Sequence, residues 1–113
     1  MMAKEPNDLL HGTLDVLILK ALALGPTHGY GVARWIEART DGVFSIEDAA
    51  LYKALHRLEG GGAVESDWGV SESGRRAKYY QLTRRGHQLL RAEAAVWQRY
   101  SAAVTNLLRT TEA

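Results

Sequence analysis

A mainly α chain with one small β-hairpin, an α+β fold, is what this sequence predicts, and three observations carry the prediction. Apolar residues recur at helical spacing in several separate blocks. Residues 45–83, SIEDAALYKALHRLEGGGAVESDWGVSESGRRAKYYQLT, read as one helix followed by a two-stranded ribbon with a basic tip. The chain then closes on a helix that is long for a domain of this size. With 113 residues it is long enough to bury a single core and short of a second. A 46% hydrophobic and 24% charged composition lies near globular averages, which argues against disorder.

Taken in order, Asn7 or Asp8 can cap a first helix. Leu14, Val16, Leu17, Ile18, Leu19, Ala21, Leu22 and Leu24 make that helix apolar on most sides, so it belongs in the centre. Gly25-Pro26 stops it, because proline has no amide proton and disfavours helix in the residue before it. A second helix, Gly29 to Arg39, puts Val32, Ala33 and Ile36 on one stripe flanked by Tyr30 and Trp35. Asp41-Gly42 then turns the chain toward Phe44.

Ser45 with Asp48 three residues later is a helix-start signal and predicts a third helix from near Ile46. Leu51, Leu55 and Leu58 form its buried stripe, while Tyr52, Lys53, His56 and Arg57 fall away from it and present donors. Gly60, Gly61 and Gly62 end the helix. Val64–Trp68 and Ala77–Leu82 are rich in β-branched and aromatic residues and read as two strands joined by a long loop, GVSESGRR. Thr83 can cap the last helix, and Gln88 to Arg109 runs for upwards of about five turns. Leu90, Trp97, Tyr100, Val104 and Leu107 carry the spacing of a seam that packs along another helix. A small core covers only part of such a helix, so a homodimer is expected, with packing inside the chain as the alternative.

The net charge of +1 conceals a local excess: residues 71–91 sum to +5 and the rest of the chain to -4. Arg75, Arg76, Lys78, Arg84, Arg85 and Arg91 lie in that window, opposed only by Glu72. The absence of cysteine excludes disulfides, thiolate metal sites and cysteine nucleophiles. His11, His28, His56 and His87 lack the short pairings with acids that a zinc site needs, so no metal and no cofactor are expected. GYG at 29–31 lacks the spacing of a dinucleotide loop and follows no predicted strand, so it reads as a tight helix start. No arrangement of nucleophile, base and acid stands out, and no enzyme is expected. The first ten residues lack a basic region leading into an apolar segment, and no apolar run approaches the roughly 18 residues of a membrane span. A cytoplasmic protein that does not engage membranes is the expectation.

A flexible basic loop beside a helix with exposed donors is the geometry that a winged helix offers to double-stranded DNA. On that reading Tyr52, Lys53, His56 and Arg57 supply groove or backbone contacts, with core packing as the equal alternative for the Tyr52 ring. Arg75, Arg76 and Lys78 bind phosphates or enter the minor groove, and Trp68 anchors the wing. Paired Trp97 and Tyr100 rings across a dimer axis offer a place for a small hydrophobic or aromatic effector.

The segments GTLDVLILKALALGPTHGYGVARWIE, LYKALHRLE and WGVSESGRRAKYYQLTRRG together resemble the PadR family of bacterial transcriptional regulators, across nearly the whole chain. The resemblance implies residues 1–83 as a winged helix-turn-helix DNA-binding domain and residues 84–113 as a dimerisation helix packed on it. It makes Ile46–Glu59 the recognition helix and Glu65–Leu82 the wing, and it implies a repressor that binds a pseudo-palindromic operator as a homodimer. Many members resemble LYPAL where this chain has Leu51-Tyr52-Lys53-Ala54-Leu55, and many carry Ser or Thr where it has Ala50. Lys53 adds a donor and Ala50 removes one. A winged-helix protein-interaction module that never touches DNA is the alternative, with the basic window facing an acidic partner.

Overall fold

The structure, a computed structural model, describes residues 5–6, 9–10 and 13–111. The Asn7 or Asp8 cap and His11 lie outside the described residues. Among the described residues four α-helices and three strands follow in the order α1 (Leu14–Ala23), β1 (Thr27–His28), α2 (Gly29–Arg39), α3 (Asp48–Gly60), β2 (Val64–Val70), β3 (Arg76–Leu82) and α4 (Arg84–Arg109).

α1 packs against α2, α3, α4 and β3, as a helix apolar on most sides must. Ile18 and Leu19 from α1, Val32 and Ile36 from α2, and Leu51 and Leu55 from α3 are completely enclosed and form the centre of the core. Truncating any of these six to alanine removes buried methyl groups, which in a well-packed core costs about 1 to 5 kcal/mol. Thr13 occupies the N-cap of α1, but its hydroxyl donates back to the Leu10 carbonyl (3.3 Å) and does not cap the helix.

α2 has the predicted bounds, and its cap is His28, whose Nδ1 accepts from the Gly31 amide at 3.0 Å. α3 starts two residues later than the Ser45 signal predicts. Its N-cap is Glu47, still extended at φ -70° and ψ 143°, with no side-chain cap hydrogen bond. Ile46 instead packs against the same apolar cluster as Leu51, the spacing of a hydrophobic staple, and this holds the chain extended up to the cap. The three glycines act unequally: Gly60 is still helical, Gly61 is the C-cap, and only Gly62 takes a positive φ of 81°.

The two-stranded ribbon is in fact a three-stranded antiparallel sheet in the order β1-β3-β2. β1 pairs Thr27 with Tyr80 and His28 with Tyr79. Two residues cannot show an alternating pattern, so β1 exists only through the partner that tertiary folding brings to it. β2 and β3 pair from Val64↔Leu82 to Val70↔Arg76, longer than predicted, leaving only residues 71–75 as the loop. Gly69, read as a turn residue, stays in the strand because the Tyr79 ring lies over it, and the Tyr79 hydroxyl donates to the Val70 carbonyl at 3.1 Å.

Thr83 caps α4 as predicted. Its Oγ1 accepts from the Gly86 amide (3.1 Å) and donates to the Gly62 carbonyl (2.6 Å), tying the start of α4 to the end of α3. The helix begins at Arg84 and holds 26 residues, about 39 Å of length in a molecule 61 Å long.

Candidate nucleic-acid interface

The helical period splits α3 cleanly. Leu51, Ala54, Leu55 and Leu58 are buried, whereas Ala49, Ala50, Lys53, His56 and Arg57 fall outside that stripe and are exposed. Tyr52 sits at the boundary and is 46% exposed. Its ring tip lies over Gly29 at the start of α2, so closely that any side chain there would collide with it. Tyr52 therefore braces α3 against α2 while keeping part of its ring at the surface.

Register places Ser66, Trp68 and Val70 of β2 on one face of the ribbon with Tyr80, Lys78 and Arg76 of β3. Near α3 this face closes over the core through Val64 and Tyr80, which are buried. Farther out the ribbon leaves the core behind, and the same face opens as Trp68, Val70 and the cations. Arg76 lies over the Trp68 ring at 4.4 Å from its centroid, a cation–π contact. Trp68 is thus a partner of Arg76 on the exposed ribbon. Arg75 projects from the loop.

Between the ribbon, Tyr52 of α3 and Tyr30 of α2 lies an open cleft of about 790 Å³, with Arg75, Arg76 and Lys78 along its wall and His28 at its end. The His28 ring meets Tyr79 edge-on at 5.4 Å, and its Nε2 is 3.5 Å from the Glu72 carboxylate of the loop. Because Nδ1 accepts the Gly31 amide, the neutral ring carries its proton on Nε2, directed at Glu72. This links the tip of the ribbon to the start of α2.

Two cations have partners that the sequence did not disclose. Arg57 pairs with Asp15 of α1, which turns its guanidinium along the body of the domain. Lys78 has its Nζ 4.0 Å from Glu59, whose other oxygen accepts from the Ser66 hydroxyl at 2.5 Å. Both pairs are partly solvated, and pairs of that kind contribute little stability, so their effect is to orient side chains. Tyr80, at the inner end of the cleft, has its pKa raised from 10.0 by burial, then by the charge of Glu59 and by Tyr52. Lys53 and His56 have no ion pair among the described residues, and neither do Arg75 and Arg76.

Along α4, Leu90 packs against the domain core with Leu89. Trp97, Tyr100, Val104 and Leu107 are 43%, 63%, 39% and 76% exposed, so this part of the helix has left the body of its own domain. Leu108, 82% exposed, extends the stripe. The Trp97 and Tyr100 rings stack on each other at 5.7 Å. Among the described residues no group of three or more potential metal ligands occurs, and no helix is long and apolar enough to cross a membrane.

A helix–turn–helix of α2 and α3, flanked by the β2–β3 wing and followed by one long helix, defines a winged helix-turn-helix protein. Residues 18–92 match the model of the transcriptional regulator PadR-like family, and the chain belongs to that family. It is a transcriptional regulator, and members of the family are regulators rather than enzymes. The chain is similar to a padR family transcriptional regulator from Eggerthella lenta, at 34% identity over 92% of this chain and 88% of the other, with a TM-score of 0.75. It is also similar to a transcriptional regulator from Clostridium thermocellum, at 28% identity over 90% and 99% of the two chains, with a TM-score of 0.81. An uncharacterised protein of Lysinibacillus sphaericus is 32% identical over 91 residues, 80% of this chain and 84% of the relative.

Proposed function

We propose that this regulator is a repressor that binds a pseudo-palindromic DNA operator as a homodimer. Residues 1–83 engage the DNA and residues 84–113 pair the two copies. The observation that carries the reading is the open cleft that Tyr52 of α3 shares with Arg75, Arg76 and Lys78 of the wing, with Lys53, His56, Arg75 and Arg76 exposed and without ion-pair partners among the described residues. α3 enters the major groove, Arg75 and Arg76 hold phosphates or reach the minor groove, and Lys78, one pair inward of Arg76 on the same strand face, supports them. Tyr52 holds α3 against α2 and offers its ring edge to the backbone. Arg57, oriented by Asp15, faces phosphate rather than the groove floor. Repression needs only that the operator be occupied.

The exposed seam of Trp97, Tyr100, Val104 and Leu107 supports pairing through α4, with Leu90 at its inner end against the domain. The stacked Trp97 and Tyr100 rings favour a small hydrophobic or aromatic effector between the copies, one that releases the DNA by shifting the helices. Selecting bound duplexes from a random pool, followed by binding titrations across salt concentrations, tests the DNA reading. A preferred duplex and a steep loss of affinity with salt are expected. Binding without any preferred duplex would leave the protein-interaction module as the better account.

A further inference from the structure

We infer that sequence specificity resides in Ala49, Ala50 and Lys53 of α3, and that each operator half-site presents thymine methyl groups to the two alanines and a guanine to Lys53. This rests on the DNA-binding reading above and narrows it to the bases that are read.

Ala49 and Lys53 lie on the outward face of α3, opposite Leu51, Leu55 and Leu58, Ala50 lies on the flank of that face, and all three are exposed. They occupy its first half, the end that reaches base edges when such a helix enters a major groove. What that end offers is unusual in its chemistry. Glu47 at the N-cap and Asp48 beside it are exposed carboxylates, so a phosphate is repelled there. The start of α3 must then face the floor of the groove and not its sugar-phosphate rim.

On that floor the alanines present methyl groups with no donor or acceptor. Their shortness lets the helix backbone come close, and the apolar group that a major groove displays is the C5-methyl of thymine. Lys53 follows one helical turn later, about 5 Å along the axis, between one and two base steps of roughly 3.4 Å. Its ammonium has three donors and no acceptor, which matches the adjacent O6 and N7 acceptors of guanine. His56 is a further turn back and Arg57 is drawn aside by Asp15, so both fall behind the reading edge.

The test uses the intact chain and the duplex it selects from a random pool. Uracil in place of each half-site thymine removes only the methyl group and should weaken binding about 3- to 5-fold at the contacted positions. Replacing the neighbouring guanine by 7-deazaguanine should weaken it roughly 5- to 100-fold. With Ala49→Gly and Ala50→Gly the preference for thymine over uracil should vanish, and with Lys53→Met the preference for guanine should vanish. Any general loss from a weaker helix cancels in the ratio of the two duplexes. A selected duplex that binds equally well with uracil at every position overturns the inference while leaving operator binding intact. A thymine preference that survives both glycine variants also overturns it. If no duplex is preferred at all, the DNA-binding reading itself falls.

Discussion

Gly86, the only buried residue of α4, stands where the first turn of that helix meets the backbone between α3 and β2. A Cβ there would overlap the Ala63 carbonyl oxygen, which already accepts from the Thr83 amide at 3.1 Å. The overlapped atom is backbone, fixed by strand and cap, so it cannot turn away as a flexible side chain would. Gly86→Ala should destabilise the fold by about 3 kcal/mol, at the upper end of overpacking effects, and lower the melting temperature by roughly 10 °C or more in a thermal scan. Tyr80 gives a second test at this scale. Its raised pKa means that the folded chain keeps a phenolic proton which the unfolded chain gives up above pH 10.0. Stability is fully present below that value and falls as pH rises toward the folded pKa, because the unfolded state then binds fewer protons. Urea midpoints compared between the parent and Tyr80→Phe should therefore show a steeper alkaline decline in the parent.

Among the elements, the ribbon shows how one surface pattern changes meaning along its length. The same strand face is core at Val64 and Tyr80 and solvent-exposed at Trp68 and Arg76, because the domain beneath it ends. Arg76 stacked on Trp68 and Arg75 on the loop are free of carboxylates among the described residues, unlike Lys78 beside Glu59. Removing both arginines with Arg75→Ala and Arg76→Ala should weaken the selected operator and random DNA by similar factors. The slope of log affinity against log salt should flatten by about one to two units. An unchanged slope in a fluorescence-anisotropy titration would mean that the wing does not clamp phosphates.

At the scale of the molecule, α4 is the element that its own domain does not finish covering. Its first turns lie on α1 and β3, and from Trp97 onward its apolar stripe is open. Trp97→Glu with Val104→Glu should yield a folded monomer by light scattering, since each charge would be desolvated twice across a two-fold interface. Affinity for the palindromic duplex should fall in the same variant, because two linked half-sites become separate binding events. A double variant that remains dimeric would place the interface elsewhere.

Short-range chemistry determined much of this protein from sequence alone. The helix periods in Val32, Ile36, Leu51, Leu55 and Leu58 assigned the core, Thr83 set the cap of α4, and Gly25-Pro26 set the break after α1. These signals lie within a turn or two of the chain, where spacing and side-chain type suffice. Only the tertiary structure decided that Thr27 and His28 form a strand, that Gly69 stays paired under the Tyr79 ring, and that α3 waits until Asp48 because Ile46 packs on the core. It also decided which cations face outward. Asp15 and Arg57 are 42 residues apart, and Glu59 meets Lys78 across the turn into the sheet. A charge at that distance along the chain has no local signature, so periodicity could show that Arg57 leaves the core but not that α1 would hold it.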